Sequence, residues 1–336
     1  MGRPRPAGPR RRRSRPPRCR RGLPGVPVGA PGGRRPPRPG RRARADGGPL
    51  STGRPAKGQV EPATSAPPAA GSVQPMIVRE LGDGRLLCIN QTTHALQATS
   101  FCRRWGNDSF VAPQPYEPVM AGIFLHDNGW SEWEEEPEVR DDGYPMDFVH
   151  GPHWSAKLDL WRRGVARAFA QHPYSGVLVM RHAAILYRKA MHGLAGDERA
   201  ATEAFVAEQD QWEVKARRLL CDQPGWSQHL TEAAVEANTR LLQFGDFAAL
   251  AVTMPWPSGS PAAPCPTDLV GGFTELRLEH GEGFVTVDPW PYGPTSFEVA
   301  VHGRVLERDR FAGHEEYRAA LAAAPVVELC WRVAPR

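Results

Sequence analysis

Between residues 92 and 254 the apolar side chains recur three and four positions apart in about six separate segments. That spacing places them on one face of a helix, whereas a strand needs strict alternation. The first segment, QTTHALQATSFCRRW, puts His94, Ala98, Phe101 and Trp105 on one face, with Thr92 or Thr93 as its cap. A second starts at PQPYEP, tolerates Pro118 in its first turn and carries Val119, Gly122, Ile123 and His126 to a stop at Asn128-Gly129. Further helices are expected over Ser155–Gln171, along VLVMRHAAILYRKAMHG, from Asp197 to Leu220 with Trp212 and Leu219 inward, and from Ser227 to Pro255. MIVREL and RLLCIN flank Gly-Asp-Gly and read as a hairpin. After residue 270 the pattern turns strand-like in FTELRLEH, GFVTVDPW, FEVAVHGRVL and VELCWRV, with a short helix at EEYRAALAAA. The expected fold is therefore α+β and mainly α. About six helices span 92–254, and segments 76–91 and 270–335 form a small antiparallel sheet.

Residues 1–75 obey other rules. They hold 18 of the 42 Lys+Arg, 17 of the 35 Pro and two of the 37 acidic residues, so the formal net charge of +5 hides an acidic remainder. Such a segment has too little apolar surface to offset its ordering entropy, and it is expected to be disordered. Three readings stay open: a nucleic-acid-binding arm, a targeting segment, or a translation start assigned upstream of Met76. Residues 76–336 are expected to form one globular domain. Six cysteines without a C-x-x-C pair point to buried thiols in a reducing cytoplasm. No apolar run reaches the ~18 residues a membrane span needs.

His94, His126, His182 and Asp246 stand on helix faces that otherwise read as core, and Asp127 adjoins His126. One such histidine alone is ordinarily a hydrogen-bonded core residue, and one buried aspartate is costly unless paired. Four helices each presenting such a group favour a divalent ion, Mn, Fe, Zn or Mg, held in a helical core. Asp127, if it bridges two ions, would be the central ligand. Arg181, Arg188, Lys189 and Lys157 are candidates to receive phosphate oxygens. Arg181 also reads as a solvated neighbour of His182, and Arg188-Lys189 as a charge pair at a helix C-terminus. Trp130 and Trp133 could wall a pocket, with packing the favoured role, and the run EWEEEPE reads as a solvated loop.

The order His94, His126-Asp127, Asp246 resembles the H…HD…D signature of the HD superfamily of helical metal-dependent phosphohydrolases. His153 and His182 resemble the added ligands of its two-metal members, with His150 as the alternative to His153. The resemblance implies an HD-like helical bundle and hydrolysis of a phosphoester on a small-molecule substrate, with Asp127 and His182 catalytic. It also admits a di-iron oxygenase, and a metal-free regulatory or binding module remains a third reading. MIVRE, QTTHAL, HDNGW, HPYSGVLVMRH, LLQFGDFAALAV and DPWPY together resemble a bacterial family of unknown function, family 3891, across nearly all of 76–336. No membrane partner is expected, and nucleic acid only through the basic segment.

Overall fold

The computed structural model describes residues 77–336, so the expectations for 1–75 lie outside the described residues. The hairpin forms as β1 (Ile77–Glu80) and β2 (Leu86–Ile89). Helices follow: α1 (Gln91–Cys102), α2 (Tyr116–Phe124), α3 (Trp154–Gln171), α4 (Pro173–Ala190), α5 (Gly196–Cys221) and α6 (Glu232–Thr253). Two short strands, β3 (Cys265–Pro266) and β4 (Phe273–Thr274), pair with each other. Then come β5 (Arg277–Gly281), β6 (Phe284–Asp288), β7 (Phe297–Leu306), α7 (His314–Ala323) and β8 (Val326–Pro335).

The hairpin joins the C-terminal strands in one six-stranded sheet of order β1-β2-β7-β8-β6-β5. β2 lies antiparallel on β7, with Leu86 opposite Leu306. The sheet is mixed, because β6 runs parallel to β8. An all-antiparallel sheet was expected, but β8 enters between β7 and β6, which run in opposite directions, so it is antiparallel to one and parallel to the other. Alternation along β7 buries Phe297, Val299 and Val301 on one face. That face meets α1, α2, α4 and α6 in the main core, while Leu86, Cys88 and Leu306 pack with α7 on the other side.

α4 is apolar nearly all round and is buried along most of its length, the pattern of a central helix. α3 and α5 flank it in a second apolar cluster. Two inward assignments on α5 fail: Trp212 is 45% exposed and Leu219 59%. The helix is long and only one side of it packs, through Phe205 and Ala216. α6 starts later than expected, at Glu232, because Ser227–Leu230 is a separate short turn and Thr231 is the cap. The Thr231 side chain accepts the Ala234 amide at 3.2 Å.

Cys88, Cys102 and Cys265 are buried free thiols, whereas Cys330 is exposed. Among the described residues, no helix is long and apolar enough to cross a membrane. The DPWPY turn seats Tyr292 against Trp105, where Asn107 Nδ2 donates to the carbonyls of Trp290 and Tyr292.

Candidate metal centre

The stretch GIFLHDNGW does not stay helical to its end. α2 stops at Phe124, a turn carries His126 and Asp127, and a 3-10 helix runs from Asn128 to Glu135. Asn128 and Gly129 set this path. Asn128 Nδ2 donates to the carbonyls of Leu125 and Gly164, pinning the turn to α3. Gly129 lies so close to α3 that a Cβ would stand 2.1 Å from the Leu160 carbonyl oxygen. Only glycine fits there, which explains the Asn-Gly pair better than a helix cap does.

A second close approach acts from the other side. A Cβ on Gly245 of α6 would fall 2.6 Å from Cys102 Sγ and 2.9 Å from the Ala98 carbonyl oxygen of α1. The two backbones therefore cross closely, one residue before Asp246 and one turn after His94. Asp246 Oδ1 then sits 3.1 Å from His94 Nε2 and 3.7 Å from His126 Nε2. Asp127 Oδ2 is 3.2 Å from His126 Nε2 and 3.9 Å from His94 Nε2. Ligand atoms of His94, His126, Asp127 and Asp246 all fall within 4.8 Å of one another, so this group can hold a metal ion.

Hydrogen bonding orients the donors. His126 Nδ1 donates to the Ile123 carbonyl at 2.7 Å, which turns Nε2 toward the group. That Nε2 is buried and has no hydrogen-bond partner, because the nearby carboxylates are out of line with it. Both ring nitrogens of His182 are buried and unpartnered as well. His182 Nε2 is 3.6 Å from Asp246 Oδ2, so α4 brings this histidine to the edge of the same group. Buried nitrogens without partners are uncommon unless something is missing from the site. Two neighbouring carboxylates also need a countercharge there. A divalent cation meets both requirements, and imidazole with carboxylate is a donor set that suits one.

The electrostatics agree. Burial opposes charge on His126, but the Asp127 and Asp246 carboxylates outweigh it and hold its pKa well above the usual range. Burial would raise the Asp246 pKa, yet the His126 and His94 rings beside it keep it well below the carboxylate norm. For His182 burial outweighs the attraction of Asp246 and pushes the pKa down to about 4.

A family match spans residues 76–308. The chain belongs to the family described as protein of unknown function DUF3891. No curated protein matches it, and no solved structure does. In this DUF3891 chain every candidate ligand lies inside the matched region, while α7 and β8 lie beyond it.

The remaining candidates separate. His153 is exposed at the start of α3, with Ser155 Oγ 3.4 Å from its Nδ1, and the structure does not bring it into the group. His150 is turned to Asp147 at 2.7 Å. Neither completes a second ion site with His182, because the 131–153 segment leads its two histidines to the surface. Arg181 is held by Glu213, Glu232 and Glu236, and Arg188 by Asp210, so neither is available to a phosphate. Lys189 is exposed. Lys157 alone of these cations lines the cavity of about 240 Å³ that borders His94, Asp127, His182 and Asp246.

Sequence reasoning missed Glu134. It belongs to the acidic run read as a solvated loop, yet it is 4% exposed. Its Oε1 accepts the Gln91 amide at 2.7 Å, supplying the α1 cap that Asn90 does not make itself. Its spacing of four from buried Trp130 was the one signal in the run. The cavity walls Trp154, Trp161 and Tyr187 were read only as helix stripe or passed over.

Proposed function

We propose that His94, His126, Asp127 and Asp246 hold one divalent ion and that the protein hydrolyses a phosphoester, as HD-superfamily enzymes do. The observation that carries this reading is the convergence of an H…HD…D set from three chain segments, with buried ring nitrogens left unpartnered. The ion, when bound, supplies Lewis acidity that brings the pKa of water toward neutrality and polarises a phosphoryl oxygen. In the reaction a water oxygen bonds to phosphorus, the ester P–O bond breaks, and a water proton ends on the leaving oxygen. The products are an alcohol and phosphate.

This chain's own residues do the rest. Asp127 faces both the ligand group and the cavity, so one carboxylate oxygen ligates while the other takes the proton of the attacking water. His182 is neutral near pH 7, since burial holds its pKa at about 4. It can therefore donate one N–H to the substrate and accept at its other nitrogen. The Trp161 ring packs on His182 and keeps water from that side.

The test is phosphate release from phosphomonoesters, nucleotides and cyclic phosphodiesters with Mn²⁺, Fe²⁺, Zn²⁺ or Mg²⁺ added. Ion-dependent release that Asp127→Ala abolishes is the expected result. His182→Ala should keep the ion and lose roughly 10²-fold or more in turnover. Oxygen consumption by an iron-loaded, coloured protein without phosphate release would instead favour the oxygenase.

A further inference from the structure

The cavity beside the ligand group narrows the substrate class, an inference that rests on the phosphoester reading. Its walls are Trp130, Trp154, Trp161, Phe148, Tyr187 and Leu250. These walls are fixed before any ligand arrives. Trp154 Nε1 donates to Thr202 Oγ1 at 2.8 Å, and the Trp161 ring packs on His182 and Tyr187 at centroid distances of 5.9 and 6.2 Å. Preset aromatic walls bind flat apolar groups at little cost in ordering.

Polar partners are scarce. Beyond His94, Asp127, His182, Asp246 and the tyrosine, only Gln91 and Lys157 among the described residues offer polar side chains to the cavity. Lys157 Nζ donates to the carbonyls of Phe148 at 3.1 Å and Val149 at 3.0 Å. An ammonium has three donors, so one remains for a ligand. Among the described residues no arginine lines the cavity.

We propose that the substrate is a monophosphate ester of an aromatic, largely apolar alcohol, whose phosphate meets the ion and Lys157 while its body lies between the indole rings. Sugar phosphates would bury hydroxyls without partners, at roughly tenfold in affinity for each. Nucleoside triphosphates would bring several charges to a site with one lysine.

The full chain loaded with its preferred ion is assayed on 2-naphthyl phosphate, glucose 6-phosphate and ATP. Separately, the ion-loaded protein is titrated calorimetrically with 2-naphthylmethylphosphonate, which cannot be hydrolysed. The expected result is a kcat/KM for 2-naphthyl phosphate at least tenfold above the other two, with saturable phosphonate binding. Lys157→Met should weaken that binding about tenfold, and Lys157→Arg should restore most of it. Glucose 6-phosphate or ATP turned over as well as 2-naphthyl phosphate, or no phosphonate binding by the folded wild type, overturns the substrate class and leaves hydrolysis standing. Phosphonate binding with no phosphate released from any ester overturns hydrolysis and retains the aromatic-anion ligand.

Discussion

His94 and Asp246 lie 152 positions apart in the chain, and their Nε2 and Oδ1 atoms are 3.1 Å apart in the fold. The contact exists because α1 and α6 cross at Gly245 with no room for a side chain. Gly245→Ala would push its methyl into Cys102 Sγ and the Ala98 carbonyl. The expected cost is about 1–3 kcal/mol of overpacking, with Asp246 displaced and ion affinity lowered. Urea unfolding and an ion titration on the same protein check both effects. An alanine variant with wild-type stability and affinity would show that the crossing does not position Asp246.

Glu134 ties the segment after Asp127 to the start of the helix that carries His94. Glu134→Ala leaves the Gln91 amide uncapped and should cost about 1–2 kcal/mol. Glu134→Gln keeps an acceptor and should cost less. Burial, and secondarily the Asp127 charge, raise the Glu134 pKa well above 4.5, although the Gln91 amide opposes this. A carboxyl with a raised folded pKa lends stability below its unfolded value, and that stability fades as pH rises through the folded value. Glu134→Gln should therefore gain on wild type between pH 5 and pH 8. Denaturant midpoints at the two values measure the difference, and equal midpoint differences would refute it.

Arg181 serves the fold and not the substrate. Its guanidinium is surrounded by Glu213, Glu232 and Glu236, and the Arg181 and Glu213 side chains are 16% and 13% exposed. Arg181→Ala should cost about 1–2 kcal/mol, because Glu213 and Glu232 keep Arg217 and Glu236 keeps Arg240. The folded fraction should keep its ion and its KM. A large rise in KM with unchanged thermal stability would return Arg181 to the site.

Most of the helices were legible because each buries one stripe, and 3.6-residue periodicity records a stripe directly. The same periodicity flagged His94, His126, His182 and Asp246 as polar groups on apolar faces. It overran at His126, which follows α2 on a turn, since the local signal cannot tell a helix end from a turn pinned by distant Gly164. His153 was drawn in by its place in an ordered list of histidines. Chain order says nothing about which way a loop leads, and that loop leads outward. Glu134 was hidden because burial of a carboxylate depends on a partner amide 43 residues away. The parallel β6–β8 pairing had no local signal either, because it follows from β8 entering between two strands, β6 and β7, that already run in opposite directions.

The most direct test is elemental analysis of the full chain purified without a histidine tag, before and after reconstitution with Mn²⁺, Fe²⁺, Zn²⁺ or Mg²⁺. The account predicts about one tightly held divalent ion per chain. Asp246→Ala and His126→Ala should lose it while remaining folded by circular dichroism. No stoichiometric ion under any loading condition, in a protein that is folded, would contradict the metal centre.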